Sequence, residues 1–88
     1  MSVYVDQLRP CLPNRRWRHR QSCHLTADSV AELHEFACSI GLRRRWFQDR
    51  VDFPHYDLTA GKRNAALAFG AMPIDAELML AFARRMRP

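Results

Sequence analysis

A run of five residues near the middle of the chain places an imidazole, a phenol, a carboxylate and a hydroxyl close together. The run reads HYDLT at residues 55–59, and two cations, Lys62 and Arg63, follow soon after it. This order predicts a loop that enters a helix N-terminus, where free backbone N–H groups and the helix dipole favour an anion. We therefore predict a polar site here for a phosphate-bearing ligand.

The side chains of this region suit phosphoryl chemistry. His55 could serve as general acid or base, because an imidazole titrates near neutral pH. Asp57 could orient that imidazole, and Asp6, at the end of a predicted strand, completes the expected catalytic set. The residues expected to bind the ligand and its phosphate are Arg45, Gln48, Tyr56, Thr59, Lys62 and Arg63.

The same region is compatible with a bound Mg²⁺ ion. Asp6 with Asp28 or Asp57 could hold it, because Mg²⁺ needs only one or two carboxylates besides ligand oxygens and water. Zinc is not expected, since Cys23 and the adjacent His24 would point to opposite faces of a strand. The three cysteines also show no CxxC spacing, so we expect reduced thiols rather than a disulfide framework or a zinc knuckle.

Several polar residues have structural interpretations beside the functional ones. Asp28 is expected to cap a helix, and Asp57 is equally well explained as a turn residue. His24, on a predicted strand, and His34, beside an apolar helix face, are interpreted as structural histidines.

An arginine-rich segment at residues 9–21 adds positive charge. It holds five arginines and two prolines without a sustained period, which predicts a long surface loop. The formal net charge is +5, and Lys62 is the only lysine, so anionic partners are favoured. Bases could stack on aromatic rings flanked by arginine. The expected nucleic-acid contacts are Arg15, Arg16, Trp17, Arg18 and Arg20.

Strand and helix signals alternate along the chain. Strands are predicted at residues 3–5, 22–26 and 46–48, with a fourth, edge strand at 71–74 that tolerates Pro73. Helices are predicted after the caps Ser29, Thr59 and Asp75, and glycines end the first two. The buried stripe of the third helix is expected to be Leu78, Met79, Phe82, Ala83 and Met86.

This order, β-β-α-β-α-(β)-α, predicts a small α/β sandwich. We expect one domain over residues 1–88, with helices packed on a mixed or largely parallel sheet of three or four strands. If the strands are parallel enough, Asp6, Asp28, Gln48, His55 and Asp57 converge at their carboxyl ends. A second strand antiparallel to the first is expected to separate Asp6 from the rest.

Several segments together resemble one family, the short bacterial and bacteriophage proteins grouped as domain of unknown function 4031 (DUF4031). The similar segments are 3–6, 23–28, 32–37, 40–42, 45–48, 55–59, 62–63 and 70–71. The resemblance covers nearly the whole chain except the loop at 9–21. It implies a stand-alone small domain of the kind encoded among phage or mobile-element genes, where nucleic-acid metabolism, nucleotide handling and interference with host defence are common. It implies no particular activity.

The leading hypothesis is a protein that binds the phosphate of a nucleotide or nucleic acid, with phosphodiester hydrolysis as the reaction if it is an enzyme. The alternative is a protein-binding inhibitor or adaptor that contacts an acidic partner through the arginines at 15–20 and 43–45. A homodimer through Leu78, Phe82 and Met86 is a third interpretation. No apolar run approaches the roughly 20 residues that span a bilayer, and the N-terminal residues lack a signal-peptide layout, so a cytoplasmic protein is expected.

Overall fold

Five strands and three helices form a mixed α/β fold within residues 2–86, the part of the chain that the computed structural model describes. The strands are β1 (Val3–Val5), β2 (Arg9–Pro10), β3 (Gln21–Ala27), β4 (Tyr56–Leu58) and β5 (Met72–Pro73). The helices are α1 (Val30–Ser39), α2 (Ala60–Ala68) and α3 (Ala76–Arg85), with a 3₁₀ turn at Arg44–Trp46. The predicted α/β class and the packing of helices on a sheet are confirmed. None of these helices has the length and apolar character needed to cross a bilayer.

The seven-residue strand β3 organises the sheet. It pairs antiparallel with β1, β2 and β4, whereas β5 pairs with β1 in parallel. The sheet is therefore mixed rather than largely parallel. In this register Leu25 lies between Val5 and Tyr56, and His24 lies opposite Asp57. Two residues that are far apart in sequence, His24 and Asp57, thus become direct cross-strand neighbours.

The register slips by one residue between β1 and β2. The three residues 6–8 face only two residues of β3, as in a β-bulge. Asp6 lies at this slip, and its Oδ1 accepts a hydrogen bond of 2.6 Å from the backbone N–H of His24. A side-chain oxygen thereby occupies a position that a strand carbonyl would otherwise take, so the bulge fixes the carboxylate of Asp6 against β3.

The two faces of the sheet are covered differently. Helices α1 and α2 pack on the face that carries Cys23, Leu25 and Ala27, and their contacts with this face form the main hydrophobic core. Burying one leucine of this kind stabilises the fold by about 1.5–3 kcal/mol. On the opposite face α3 covers Tyr4, whose ring centroid lies 4.6 Å from that of Phe82. Because side chains alternate along β3, His24 belongs to this second face.

The predicted third strand at 46–48 is wrong. Residues Arg44–Trp46 form the 3₁₀ turn, and Gln48 makes only a single bridge with His55. The strand lies instead at Tyr56–Leu58, where the sequence predicts a loop, and its buried–intermediate–buried pattern is typical of a strand packed on one face. Asp57 is therefore a strand residue on the less buried face.

Local signals place the helix ends correctly. Ser29, Thr59 and Asp75 each accept a hydrogen bond from the backbone N–H three residues on, at 3.1, 3.1 and 2.9 Å. Gly41 and Gly70, just beyond α1 and α2, have φ angles of +85° and +105°, which an L side chain rarely adopts. The three predicted caps and the two glycine stops are confirmed.

Asp28 does not cap α1, so that prediction is wrong. Its carboxylate accepts hydrogen bonds from the backbone N–H of Ser2 at 2.7 Å and from the hydroxyl of Tyr4 at 2.8 Å. The hydrogen bond from Tyr4 holds the pKa of Asp28 below its usual value, and the same bond raises the pKa of Tyr4. Asp28 therefore ties the start of β1 to the end of β3, away from His24.

The apolar stripe of α3 is only partly as predicted. Met79 and Ala83 are buried, but Leu78 is 45% exposed and was wrongly placed in the stripe. Phe82 packs on Tyr4, and the sulfur of Met86 lies 3.6 Å from the hydroxyl of Thr26. Two of the three side chains of the predicted dimer face, Phe82 and Met86, therefore pack against other residues of the same chain.

The three cysteines should react at very different rates with a thiol reagent. Cys38 is exposed and Cys11 is half-buried, whereas burial in the core, with the charge of Asp6 nearby, raises the pKa of the Cys23 thiol to about 12. Ellman's reagent at pH 8 is expected to modify Cys38 first, then Cys11, and Cys23 only after unfolding in urea, because the thiolate is the reactive form. Three rapid modifications of the native protein would contradict this packing of β3.

Candidate functional site

A row of polar side chains crosses the second face of the sheet. Asp6 follows β1, His24 lies on β3, and Asp57 lies opposite His24 on β4. Asp6 is 2% exposed, and its Oδ2 lies 2.7 Å from Nδ1 of His24. Residues directly opposite on antiparallel strands point to the same face, so His24 and Asp57 lie together, and Asp6 joins them through its contact with His24. The prediction that antiparallel strands would separate Asp6 from the other site residues is therefore wrong.

His55 joins this row from the residue just before β4. Its Nδ1 lies 2.6 Å from the carbonyl oxygen of Phe53, and its Nε2 lies 3.3 Å from Oδ1 of Asp57. Its ring centroid is 5.0 Å from that of His24, with the two planes at 83°. Two backbone hydrogen bonds with Gln48 hold the residue in place. The expected grouping of His55, Asp57 and Asp6 is thus present, with His24 at its centre.

The hydrogen bonds determine which ring nitrogens carry protons. A carbonyl oxygen only accepts, so Nδ1 of His55 donates to Phe53. A carboxylate also only accepts, so Nδ1 of His24 donates to Asp6. In the neutral form of both rings, Nε2 is then the nitrogen with the free lone pair.

A basic cavity of about 680 Å³ opens beside this row and shares Asp57 with it. Its lining residues come from the arginine-rich loop, from the 3₁₀ turn and the residues on either side of it, and from β4 and the start of α2. Its cationic and aromatic side chains are Arg16, Trp17, His19, Arg45, Trp46, Arg50 and Lys62. Asp57 is the single carboxylate among its lining residues, so the cavity is strongly positive.

Four of the six side chains expected to bind ligand line this cavity: Arg45, Gln48, Thr59 and Lys62. Nζ of Lys62 also donates to the carbonyl oxygen of Ile40 at 2.6 Å, which holds the ammonium at the end of α1. Thr59 caps α2, so the helix N-terminus lies at the cavity as predicted.

The other two residues have different positions. Tyr56 is 1% exposed, its hydroxyl lies 2.9 Å from Nδ1 of His34, and burial raises its pKa. It therefore belongs to the core and not to the cavity wall. Arg63 is not on the wall either, because its Nε donates at 2.9 Å to the backbone oxygen of Asp6. It supports the residue that holds His24.

The arginine-rich loop is more ordered than its composition predicts. Oδ1 of Asn14 accepts hydrogen bonds from the backbone N–H groups of Arg16 and Trp17, both at 2.9 Å. The indole N–H of Trp17 donates to the carbonyl oxygen of Gln21 at 3.1 Å. The loop thus presents Arg16 and the half-buried Trp17 to the cavity. Three of the expected nucleic-acid contacts, Arg15, Arg18 and Arg20, are exposed and are not among the residues lining it.

His24 is the site residue that sequence reasoning missed. Its position on a strand suggested a structural role, and its partners come from residues 6, 55 and 57, which only the sheet register brings near it. The alternation of side chains along a strand predicts that His24 lies on the face opposite Cys23, and the structure confirms this. This signal could have identified His24 only together with the position of Asp57, which lies directly opposite it on β4.

Comparison with known proteins yields a family but no described relative. Residues 3–86 match the profile of a family described as "Protein of unknown function (DUF4031)". No curated protein and no solved structure matches the chain. What the site does must therefore be argued from its own residues.

Proposed function

Because the chain belongs to the DUF4031 family of proteins of unknown function, we propose its function from the cavity itself: it binds a phosphate-bearing ligand, a nucleotide or a nucleic-acid strand. The observation that carries the proposal is the lining of the cavity. Four cations, Arg16, Arg45, Arg50 and Lys62, face one carboxylate there. Such an excess of positive charge within a concave site favours an anion over a neutral ligand.

The kind of cation favours phosphate. Three of the four are arginines, whose planar guanidinium group can bind two phosphate oxygens at once. Arg16 comes from the arginine-rich loop and Arg45 from the 3₁₀ turn, so two separate segments of the chain offer a guanidinium group to the same cavity. The N-terminus of α2, capped by Thr59, adds the positive end of a helix dipole to the same cavity.

Two tryptophans extend the argument from phosphate to nucleotide. Trp17, from the arginine-rich loop, and Trp46, which ends the 3₁₀ turn and is 45% exposed, both line the cavity. A base that stacks on an aromatic side chain gains about 1–3 kcal/mol of binding free energy, with little dependence on its identity. The volume of about 680 Å³ lies within the range of small-ligand sites.

Charge reversal at one cavity arginine is expected to weaken binding sharply. In fluorescence anisotropy with a labelled single strand of about ten nucleotides, Arg45→Glu should lower affinity by about tenfold or more, because an attractive phosphate contact becomes repulsive. Arg84→Glu, at an exposed arginine of α3, makes the same change in net charge away from the cavity and should have a small effect.

The two variants also identify the outcomes that contradict the proposal. Equal losses in Arg45→Glu and Arg84→Glu would mean that overall charge, and not the cavity, attracts the strand. Absence of binding by the unaltered protein at about 50 mM salt, to the oligonucleotide and to nucleotides alike, would favour the acidic protein partner instead.

The proposal places this binding in the cytoplasm. Cys11, Cys23 and Cys38 are free thiols. Free thiols persist in reducing compartments, where nucleotides and nucleic acids are also found.

A further inference from the structure

We propose that His24, His55 and Asp57 bind a divalent first-row transition-metal ion. This inference does not depend on phosphate binding, because it concerns the polar row on the sheet and not the cations of the cavity. One ligand atom from each of the three residues lies within 4.8 Å of the other two. The Nε2 of His55 and Oδ1 of Asp57 are 3.3 Å apart, close to the separation of about 3.3 Å expected for two ligands of a tetrahedral ion.

The orientation of both imidazoles supports the proposal. In protein metal sites a ligating histidine donates its other ring N–H to a carboxylate or a backbone carbonyl. His24 does so to Asp6 and His55 to Phe53, at 2.7 and 2.6 Å. Both rings are thus anchored through Nδ1, which leaves Nε2 as the nitrogen available to an ion.

The contact between His55 and Asp57 gives an independent reason. With Nδ1 committed to Phe53, neutral His55 has a lone pair on Nε2, and it lies 3.3 Å from an anionic oxygen. Two acceptors at this distance repel unless a proton or a cation lies between them. A proton would satisfy only this pair, whereas a metal ion would engage His24 as well.

The orientation of His24 is fixed by hydrogen bonds to the buried carboxylate of Asp6. Asp6 is 2% exposed, and a carboxylate this buried is costly unless its oxygens are hydrogen-bonded. It bonds both the backbone N–H and the ring of His24, while Arg63 donates to its backbone oxygen at 2.9 Å. The side chain of His24 remains 34% exposed, so an ion can reach it from solvent.

The ligand set selects the class of metal. Two imidazoles and one carboxylate suit Zn²⁺, Fe²⁺, Co²⁺ or Mn²⁺ better than Mg²⁺, which prefers oxygen ligands. The Mg²⁺ site expected from Asp6 with Asp28 or Asp57 has no support here, since Asp6 serves His24 and Asp28 bonds Tyr4. Three protein ligands leave coordination positions for water or a ligand oxygen, beside the cavity that Asp57 also lines.

Calorimetric titration of the apo protein with Zn²⁺, and absorption spectra with Co²⁺, test the proposal without any nucleotide. One ion per chain is expected. His24→Gln, His55→Gln and Asp57→Asn should each lose more than the roughly 10- to 100-fold in affinity that follows loss of an outer hydrogen-bond partner. The matched controls are Asp52→Asn, at an exposed loop residue, and His19→Gln, at an exposed histidine that lines the cavity but is not one of the three clustered residues, and these should keep the Zn²⁺ affinity.

A measurement on the unaltered protein covers the case in which a ligand variant does not fold. In ¹⁵N NMR of the histidine side chains, Zn²⁺ should shift the Nε2 resonances of His24 and His55 and leave that of His19 in place. Stoichiometric binding that shifts His19 instead, or no binding of Zn²⁺ or Co²⁺ at micromolar concentration, would overturn the proposal. A proton between His55 and Asp57 would then be the better account.

Discussion

An Asp6→Ala variant is expected to lose about 3 kcal/mol of unfolding free energy, a large part of the stability of an 88-residue domain. The carboxylate is 2% exposed and accepts hydrogen bonds from the backbone N–H and from Nδ1 of His24. Removing it leaves both donors without this acceptor at the register slip between β1 and β2. Urea unfolding of the metal-free protein, followed by circular dichroism, measures the loss.

Asp6→Asn separates stability from the orientation of His24. The amide keeps one oxygen for the backbone N–H, but its NH₂ group faces the ring, so Nδ1 of His24 must become an acceptor and Nε2 must carry the proton. We expect a smaller loss of stability than in Asp6→Ala, and a 10- to 100-fold loss of Zn²⁺ affinity, roughly as for other outer-shell carboxylates. Asp52→Asn, at an exposed loop position, is the control. Unchanged Zn²⁺ affinity in Asp6→Asn would limit Asp6 to a structural role.

His55→Gln is expected to weaken the binding of Zn²⁺ only, and Lys62→Met is expected to weaken the binding of the oligonucleotide only. His55→Gln removes one of three metal ligands, so Zn²⁺ affinity should fall by more than roughly 100-fold, while the cavity cations remain. Lys62→Met removes a cavity charge but keeps the length of the side chain, so oligonucleotide affinity should fall by about fivefold to tenfold with Zn²⁺ binding intact. Parallel titrations with Zn²⁺ and with the labelled strand make the comparison.

This pair also distinguishes failure of one proposal from failure of the other. If both variants lose both ligands, the metal and the phosphate share one site. If Lys62→Met binds the oligonucleotide with unchanged affinity, the cavity is not the phosphate site, and this conclusion does not depend on the result for Zn²⁺. If the oligonucleotide is cleaved, loss of turnover in His55→Gln with retained binding would assign His55 to the reaction.

The helices and their ends could be predicted because their signals are local. Ser29 and Thr59 lie three residues before the N–H groups they accept from, and Gly41 lies just past the helix it ends. The start of α2 after Thr59 could be predicted for the same reason. Such signals need only a few neighbouring residues and no knowledge of the tertiary fold.

The predicted strand at residues 46–48 and the observed strand at residues 56–58 show where local signals fail. A short apolar run such as Trp46–Phe47 does not distinguish a strand from a turn, and Arg44–Trp46 forms the turn. Tyr56–Leu58 has the alternation of a strand, but Pro54 before it suggested a loop. Three residues are too few to decide this without the partner strand.

The centre of the candidate site could not be predicted, because it depends on register. Asp6 and His24 are 18 residues apart, and a slip of one residue between β1 and β2 puts the carboxylate against the ring. A strand moved by one position would turn His24 to the other face. No property of these residues taken singly reveals that alignment.

The two-residue strand β5 has a consequence for assembly. It ends the sheet beside β1, both of its residues are exposed, and Pro73 has no N–H to donate. A strand from another molecule that approached this edge could not receive a backbone hydrogen bond from Pro73, and the proline ring would also obstruct it. Growth of the sheet from chain to chain is disfavoured there, so we expect the concentrated protein to resist fibre formation along this side and to meet its partners through side chains.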